Sequence, residues 1–350
     1  MRGRTIRVLV VDDSALFRRL VTRALTADAS LEVVGEAPDG EQAVAMAARL
    51  APDVITMDVE MPVMNGIEAV RRIMQARPRP VLMISALTRQ GAEATFAALE
   101  AGACDFLTKR SDDAVGSVQD FARELVARVK SVAGQRAGRP MHARAARRVA
   151  PVLERARSAS SPIECIVIGA STGGPPVVAD ILGALPTAFR LPIVVAQHMP
   201  GTFTSCFAER LDRQSALTVK LAEDGEPLSH GTAYICPGGM QTELDCAAGK
   251  VVQLRVGPGL PGTRHQPSVN VTFGSAARVF GPRVLAIVLT GMGDDGCLGG
   301  RDLKAAGAPV WAQDEGSSVV FGMPRAIIEA GLADSVLPSS AIAPRLLEAV

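Results

Sequence analysis

The sequence is short of cysteine, of long apolar runs and of net charge, and each shortage removes a class of function. Its six cysteines, at 104, 165, 206, 236, 246 and 297, include no CxxC pair. A disulfide framework or a structural zinc site needs partnered spacing, so reduced thiols in a cytoplasmic protein are expected. No apolar run approaches the roughly 20 residues that a membrane-spanning helix requires, so no direct insertion into a membrane is expected. The opening MRGRTIRVLVVDDSALF is broken by Asp12 and Asp13 and lacks a small-residue cleavage site, so it reads as a first strand rather than a secretory signal. A net charge of +1 gives no global field towards nucleic acid or an anionic surface. Only four histidines, at 142, 198, 230 and 265, are available for acid–base chemistry.

What is present is an ordinary globular composition, 48% apolar and 21% charged, in a 350-residue chain long enough for about two domains. RVLVVDD (7–13), LEVVGEA (31–37), DVITMD (53–58), PVLMISA (80–86) and CDFLTK (104–109) are short apolar runs bounded by turn residues. Helical spacing separates them: Leu16, Leu20 and Ala24 with Phe17, Val21 and Leu25, and later Val118, Phe121, Leu125 and Val129. Five strands, each followed by a helix, predict a parallel sheet covered on both faces, with function at the C-terminal strand ends. From 131 to 161 the pattern gives way to seven arginines against one glutamate among Pro, Gly, Ala and Ser. This segment reads as a solvated basic linker, with a basic docking arm as the alternative. Strand-like runs resume at IECIVIGA (163–170), LPIVVAQH (191–198), VLAIVLTG (284–291) and PVWAQDE (309–315), and TELDCAAGKVVQLR reads as a hairpin turning at Ala248-Gly249. The expected organisation is a domain over 1–130, a flexible basic linker over 131–162 and a second, larger α/β domain over 163–350.

In the first domain Asp12 and Asp13 follow the first strand and Asp58 ends the third. Carboxylates converging at one sheet edge repel unless a cation lies among them, and an all-oxygen set suits Mg²⁺. Ser85 and Lys109 add a hydroxyl and a fixed cation to the same rim, so the group can accept and hold a phosphoryl group. VVDDS, MDVEMPVMNG, ISA and DFLTK resemble response-regulator receiver domains over roughly residues 5 to 128. That resemblance implies a flavodoxin-like (βα)5 fold, phosphorylation of Asp58 by a histidine kinase, and Ser85, Phe106 and Lys109 as switch residues. Asn65 stands where many relatives have Asp, a change expected to be harmless in a turn.

The second domain turns on IVIGASTGG. A DNA-binding module is disfavoured because residues 163–350 are strand-rich and glycine-rich, with the basic residues gathered in the linker. GASTGG has neither the Lys-Ser/Thr ending of a P-loop nor the GxGxxG spacing of a dinucleotide fold. Gly169-Ala170-Ser171-Thr172-Gly173 does satisfy G-x-S-x-G, which predicts a strained strand-to-helix turn exposing the serine. His198 alone among the histidines ends an apolar strand, the one following that turn, and VLAIVLTGMGDDG ends another in Asp294 and Asp295. Serine, base and acid thus fall at neighbouring strand ends, in an order different from that of α/β-hydrolases. GASTGG, QHMP, AEDGE, YICPGG, RHQPSVN, LTGMGDDG and FGMPR are similar to the catalytic domain of the CheB protein-glutamate methylesterases. That likeness spans about 163 to 345 and implies a doubly wound, mainly parallel α/β sheet. It implies Ser171, His198 and Asp295 as the triad; the oxyanion is expected on backbone N–H groups near Thr172 and Met292. It also implies hydrolysis of glutamyl methyl esters on chemoreceptors, with glutamine deamidation, and no cofactor for the esterase step. Arg264 and the HQPS turn are expected at the substrate rim.

Overall fold

The computed structural model describes residues 4–109, 115–133, 162–246, 251–259 and 263–349. The chain divides into two compact units, Met1–Arg144 and Ala145–Val350. Most of the expected linker, and with it His142 and the Ala248-Gly249 turn, lies outside the described residues.

The first unit is the alternation that the sequence predicts. Its elements are β1 (Ile6–Val11), α1 (Ala15–Thr26), β2 (Leu31–Ala37), α2 (Gly40–Leu50), β3 (Val54–Asp58), α3 (Gly66–Ala76), β4 (Val81–Ala86), α4 (Arg89–Glu100), β5 (Asp105–Lys109) and α5 (Val115–Ala133). The strands form one parallel sheet in the order β2-β1-β3-β4-β5. β1 and β3 are therefore neighbours and flank the point where the strand order reverses, the place where such sheets bind ligands. Side chains of β3 and β4 are buried on both faces, as a covered parallel sheet demands. Not every apolar position of the expected helical stripes reaches the core. Val21, Leu25, Phe121, Leu125 and Val129 are buried, whereas Leu16 and Val118 are exposed.

Capping sets the entry of each helix near the sheet edge. Ser14 accepts from Phe17 N ahead of α1, Asp39 from Gln42 N ahead of α2, and Thr88 from Gly91 N ahead of α4. Asn65, the departure noted in the sequence, is the N-cap of α3 and accepts from Glu68 N at 2.9 Å. Asn caps as well as Asp does, which makes the change neutral.

The second unit begins with β6 (Cys165–Ala170), α6 (Gly174–Gly183), β7 (Ile193–Gln197), α7 (Gly201–Gln214), β8 (Thr218–Leu221) and β9 (Thr232–Ile235). After β10 (Gln241–Cys246) and β11 (Val252–Gly257) come α8 (Val269–Phe280), β12 (Val284–Val288), α9 (Cys297–Ala305), β13 (Val310–Gln313), α10 (Met323–Glu329), β14 (Ser335–Leu337) and α11 (Ser339–Ala349). Seven of these strands make a parallel sheet in the order β14-β13-β12-β6-β7-β9-β8, and β10 pairs with β11 as the expected antiparallel hairpin. Three of the four apolar runs read from sequence become its centre: every residue of β6, β7 and β12 is buried. β8, β9 and β14 were not legible in advance. They are three or four residues long, too short for a periodicity to register.

One glycine ties the first fold to its site. A Cβ on Gly66 would stand 2.0 Å from the carbonyl oxygen of Asp58, so the chain can pass beneath that residue only without a side chain. Gly66→Ala is expected to destabilise the first unit by about 1–3 kcal/mol and to lower labelling of Asp58 by a small-molecule phosphodonor. Thermal melts and phosphodonor labelling of the variant would check both.

Candidate functional sites at two sheet edges

In the first unit, Asp12 and Asp58 are buried and Asp13 is exposed, and their oxygens lie within 4.8 Å of one another. Lys109 reaches both buried carboxylates, with Nζ 2.7 Å from Asp12 Oδ2 and 2.8 Å from Asp58 Oδ2. Its ammonium also stands 4.6 Å over the centre of the Phe17 ring. Burial pushes the Asp58 carboxyl up and the Asp12 charge adds to this, while Lys109 pulls the other way; the result is about 6. For Lys109, burial works against the charge, but its bonds to Asp12 and Asp58 outweigh it and raise its pKa. One ammonium for three carboxylates leaves negative charge uncompensated. An all-oxygen set in that condition fits a hard dication such as Mg²⁺.

Ser85 is fully buried, and its hydroxyl donates to Gly91 O at 3.0 Å, at the start of α4. The structure thus ties Ser85 to the α4 loop and not to Asp58. Phe106 is buried on β5.

The second site assembles at the middle of the larger sheet. β6 lies between β12 and β7, so the order reverses there, and Ser171, His198 and Asp295 all follow these three adjacent strands. Strand-like bonds continue past the strand ends and hold the three loops in register. Ser171 N donates to Thr290 O at 3.1 Å and His198 N to Ala170 O at 3.0 Å.

His198 Nε2 lies 2.8 Å from Asp295 Oδ2. Asp295 is buried, whereas Asp294 is exposed. Burial alone would raise the Asp295 carboxyl, but the hydrogen bond and charge of His198, with the N–H groups of Asn270 and Val269, hold it down at about 2. An ionised Asp295 only accepts, so Nε2 carries the proton and Nδ1 is the basic nitrogen of His198. Among the described residues, Ser171 Oγ makes no hydrogen bond to His198. Such links commonly tighten only when substrate is loaded.

Two features of the serine turn differ from the sequence expectation. The only non-glycine residues at positive φ among those described are Ala51 and Val63, so Ser171 is unstrained and Gly173, at φ 74°, takes the left-handed position. Ser171 is also buried rather than prominently exposed. A Cβ on Gly173 would meet Val319 at 2.3 Å, and one on Gly291 would come 2.8 Å from Ser171 Cβ. Small residues are therefore required by crowding around the serine as well as by the turn. The same turn is poorly built to cradle a phosphate. Pro175 and Pro176 occupy the first turn of α6 and remove two of the N–H groups that would bind an anion.

Sequence reasoning missed what surrounds the acid. Asp295 accepts from Ser268 Oγ at 3.0 Å, Val269 N at 2.8 Å and Asn270 N at 3.0 Å, which places its carboxylate on the N-terminus of α8. Asn270 Oδ1 in turn accepts from Gly296 N and Gly299 N at the start of α9. The two helices cap one another across the acid. His265 stacks on His198, ring centres 4.3 Å apart and planes within 8°. Burial, then the neighbouring His198, lowers the pKa of His265, which favours a neutral ring there. Gln241, the first residue of the hairpin, pins this loop at both ends, donating to His265 O at 2.7 Å and accepting from Ser268 N at 2.8 Å. Arg264 is exposed beside it. The RHQPSVN motif carried the signal, but its Ser and Asn could be read as ligands of Asp295 only once the partner loop was in place.

Fold and sites define a class: a phosphoacceptor receiver joined to a mainly parallel α/β domain with serine, histidine and aspartate at its switch point. Family models for the response regulator receiver domain and for CheB methylesterase match residues 8–116 and 166–346. The chain belongs to the CheB methylesterase family. It is 46% identical to a protein of Vibrio parahaemolyticus named protein-glutamate methylesterase/protein-glutamine glutaminase, with 98% of each chain covered. A protein of Hahella chejuensis with the same name, numbered 4, is 44% identical over 99% of this chain and 100% of its own. Among solved structures, the Thermotoga maritima CheB methylesterase catalytic domain is similar at 43% identity and a TM-score of 0.52, covering 54% of this chain and all of that one.

The depressed pKa of Asp295 sets a pH dependence. A carboxyl held at about 2 against an ordinary value of 3.8 contributes stability above pH 4 and loses it as the pH falls through about 2. Asp295→Asn is expected to cost about 2 kcal/mol at pH 7, a deficit that shrinks between pH 4 and 2 as the wild-type carboxyl protonates. Urea unfolding of both proteins across that range would measure it.

Proposed function

We propose that this protein hydrolyses the γ-methyl esters of glutamate residues on chemoreceptors, releases methanol, and deamidates receptor glutamines. Phosphorylation of Asp58 by a chemotaxis histidine kinase regulates it. Its three parts are a receiver over 1–130, a linker over 131–162 and a catalytic domain over 163–350, acting in the cytoplasm. The observation that carries the reading is the 2.8 Å contact of His198 Nε2 with the Asp295 carboxylate, in the loop that follows β12 beside the strand leading to Ser171.

In this reading His198 Nδ1 removes the Ser171 hydroxyl proton as Oγ attacks the ester carbonyl. The tetrahedral oxyanion rests on backbone N–H groups near Thr172 and Met292. When it collapses, the proton on Nδ1 passes to the leaving methoxide, which departs as methanol and leaves an acyl-serine. Water then gives a proton to the same nitrogen as its oxygen attacks the acyl carbon, and when this second tetrahedral intermediate collapses that proton passes to Ser171 Oγ, which frees the glutamate and restores the serine. With a glutamine side chain the sequence is the same and ammonia departs. Asp295 fixes the ring tautomer and stabilises the imidazolium. Every step is an exchange of protons and acyl bonds among these side chains, which supports an esterase that uses no cofactor.

In the receiver, Asp12, Asp13 and Asp58 would hold Mg²⁺, which would supply positive charge to the phosphoryl oxygens. Lys109 pairs with the phosphorylated side chain. The Ser85 hydroxyl, now on Gly91 O, would turn towards the new dianion and release the Gly91 carbonyl, which alters the start of α4.

Three variants test the assignment. Ser171→Ala is expected to abolish methanol release from methyl-labelled receptor while leaving Asp58 phosphorylation intact. Asp58→Asn is expected to block activation by phosphodonor without lowering basal turnover. Asp295→Asn is expected to reduce the rate by orders of magnitude, about 10⁴-fold where such an acid fixes the tautomer, and Asp294→Asn to be mild. Nucleotide binding without ester hydrolysis, or equal losses from the two aspartates, would contradict the scheme.

A further inference from the structure

Gln197 is the last residue of β7 and only 2% exposed. Its Nε2 donates to Ser171 O at 2.9 Å and to His198 O at 3.3 Å. Both partners are carbonyl oxygens, so the amide nitrogen must be the atom facing them. No other side-chain donor among the described hydrogen bonds reaches the main chain of both residues.

A trans peptide is planar, and its C=O and N–H point in opposite directions. Fixing the Ser171 carbonyl therefore fixes the direction of the Thr172 N–H. That N–H meets no acceptor among the described residues. The next peptide is held separately, because Thr290 Oγ1 donates to Thr172 O at 2.9 Å. The Ser171 carbonyl also accepts from Gly174 N at 2.8 Å, but that bond lies inside the turn and moves with it. The bond from Gln197 comes from the neighbouring strand and anchors the peptide to the sheet. There is no slack around it, since a Cβ on Gly174 would stand 2.2 Å from Gln197 Oε1.

We infer that Gln197 is a positioning residue for the oxyanion site: it holds the Ser171–Thr172 peptide so that the Thr172 N–H faces the developing oxyanion. The inference rests on the reading of Ser171 as nucleophile. Without the clamp the peptide can rotate and present its carbonyl, which repels negative charge, where a donor is needed. Binding of the ground-state ester is untouched, because the donor is used fully only in the transition state.

The test is Gln197→Met in the full chain, similar in length and without a donor. The variant removes a buried acceptor without a partner, Gln197 Oε1, together with the two hydrogen bonds that Nε2 donates, so a modest loss of stability is expected. The expected result is a kcat for methanol release lower by on the order of 100-fold, a KM within about two-fold of wild type, and a Tm lowered by only about 2–8 °C. Selective ¹⁵N-threonine labelling is expected to show the Thr172 amide resonance shifted. An unchanged kcat, a loss carried by KM, or an unmoved Thr172 resonance would overturn the inference. Should Gln197→Met melt early, Gln197→Leu is measured by the same three readouts, and kcat equal to wild type in that variant overturns it. Wild type and Ser171→Ala are run alongside. An inactive wild type, or an active Ser171→Ala, would bring down the esterase reading itself, whereas an active wild type with a fully active Gln197→Met brings down the positioning role alone.

Discussion

One buried carboxylate organises the catalytic half. A charge removed from water is tolerated only when its oxygens are fully engaged, and Asp295 meets that condition with His198, Ser268 Oγ and two N–H groups of the α8 N-terminus. The positive end of the helix dipole adds to the same pairing. Because Asn270 returns the favour to the start of α9, neither helix can shift without disturbing the acid. The orientation of the histidine is thus set by helix packing at a distance from the serine. The hairpin takes part through Gln241, which gives that antiparallel excursion a role in holding the loop that carries His265 and Ser268.

The receiver applies the same electrostatics to the opposite end. Its carboxylates also converge at a switch point, yet they share one ammonium, and Asp58 is left with its carboxyl raised to about 6. Asp295 is fully paired and so has one lasting arrangement. Asp58 is under-paired, so a cation placed among these carboxylates would change the balance. A fixed orienter and a responsive acceptor differ here in how many donors surround each carboxylate.

The main frame of both units was legible because parallel strands buried on two faces write themselves as continuous apolar runs, and because chemistry gathers at their C-terminal ends. Asp12, Asp58, Ser171 and His198 could all be picked on that rule. The choice of Asp295 over Asp294 came from family likeness; burial of one and exposure of the other supply its physical reason. The relaxed serine could not be foreseen, since G-x-S-x-G permits a strained turn without requiring one. Gln197 and Asn270 escaped notice for a different reason. Each acts through carbonyls or N–H groups about 26 residues away in sequence, and nothing local marks them. Leu16 shows the opposite error, an apolar residue in step with a helical stripe that nonetheless faces solvent.

Placing the acid and base beyond the ends of separate strands has a consequence for how the molecule comes into being. His198 and Asp295 are 97 residues apart in the chain, and the serine follows a third strand. No fragment of the sheet contains a working site, because β7, β6 and β12 must be laid side by side first. Non-local parallel pairing of this kind is slow to form. Recovery of esterase activity after denaturant dilution would therefore trail the return of helical signal, and serve as a clock for closure of the central three strands. The receiver unit precedes this sheet in the chain and has a core of its own, so it can fold while the three central strands are still unpaired.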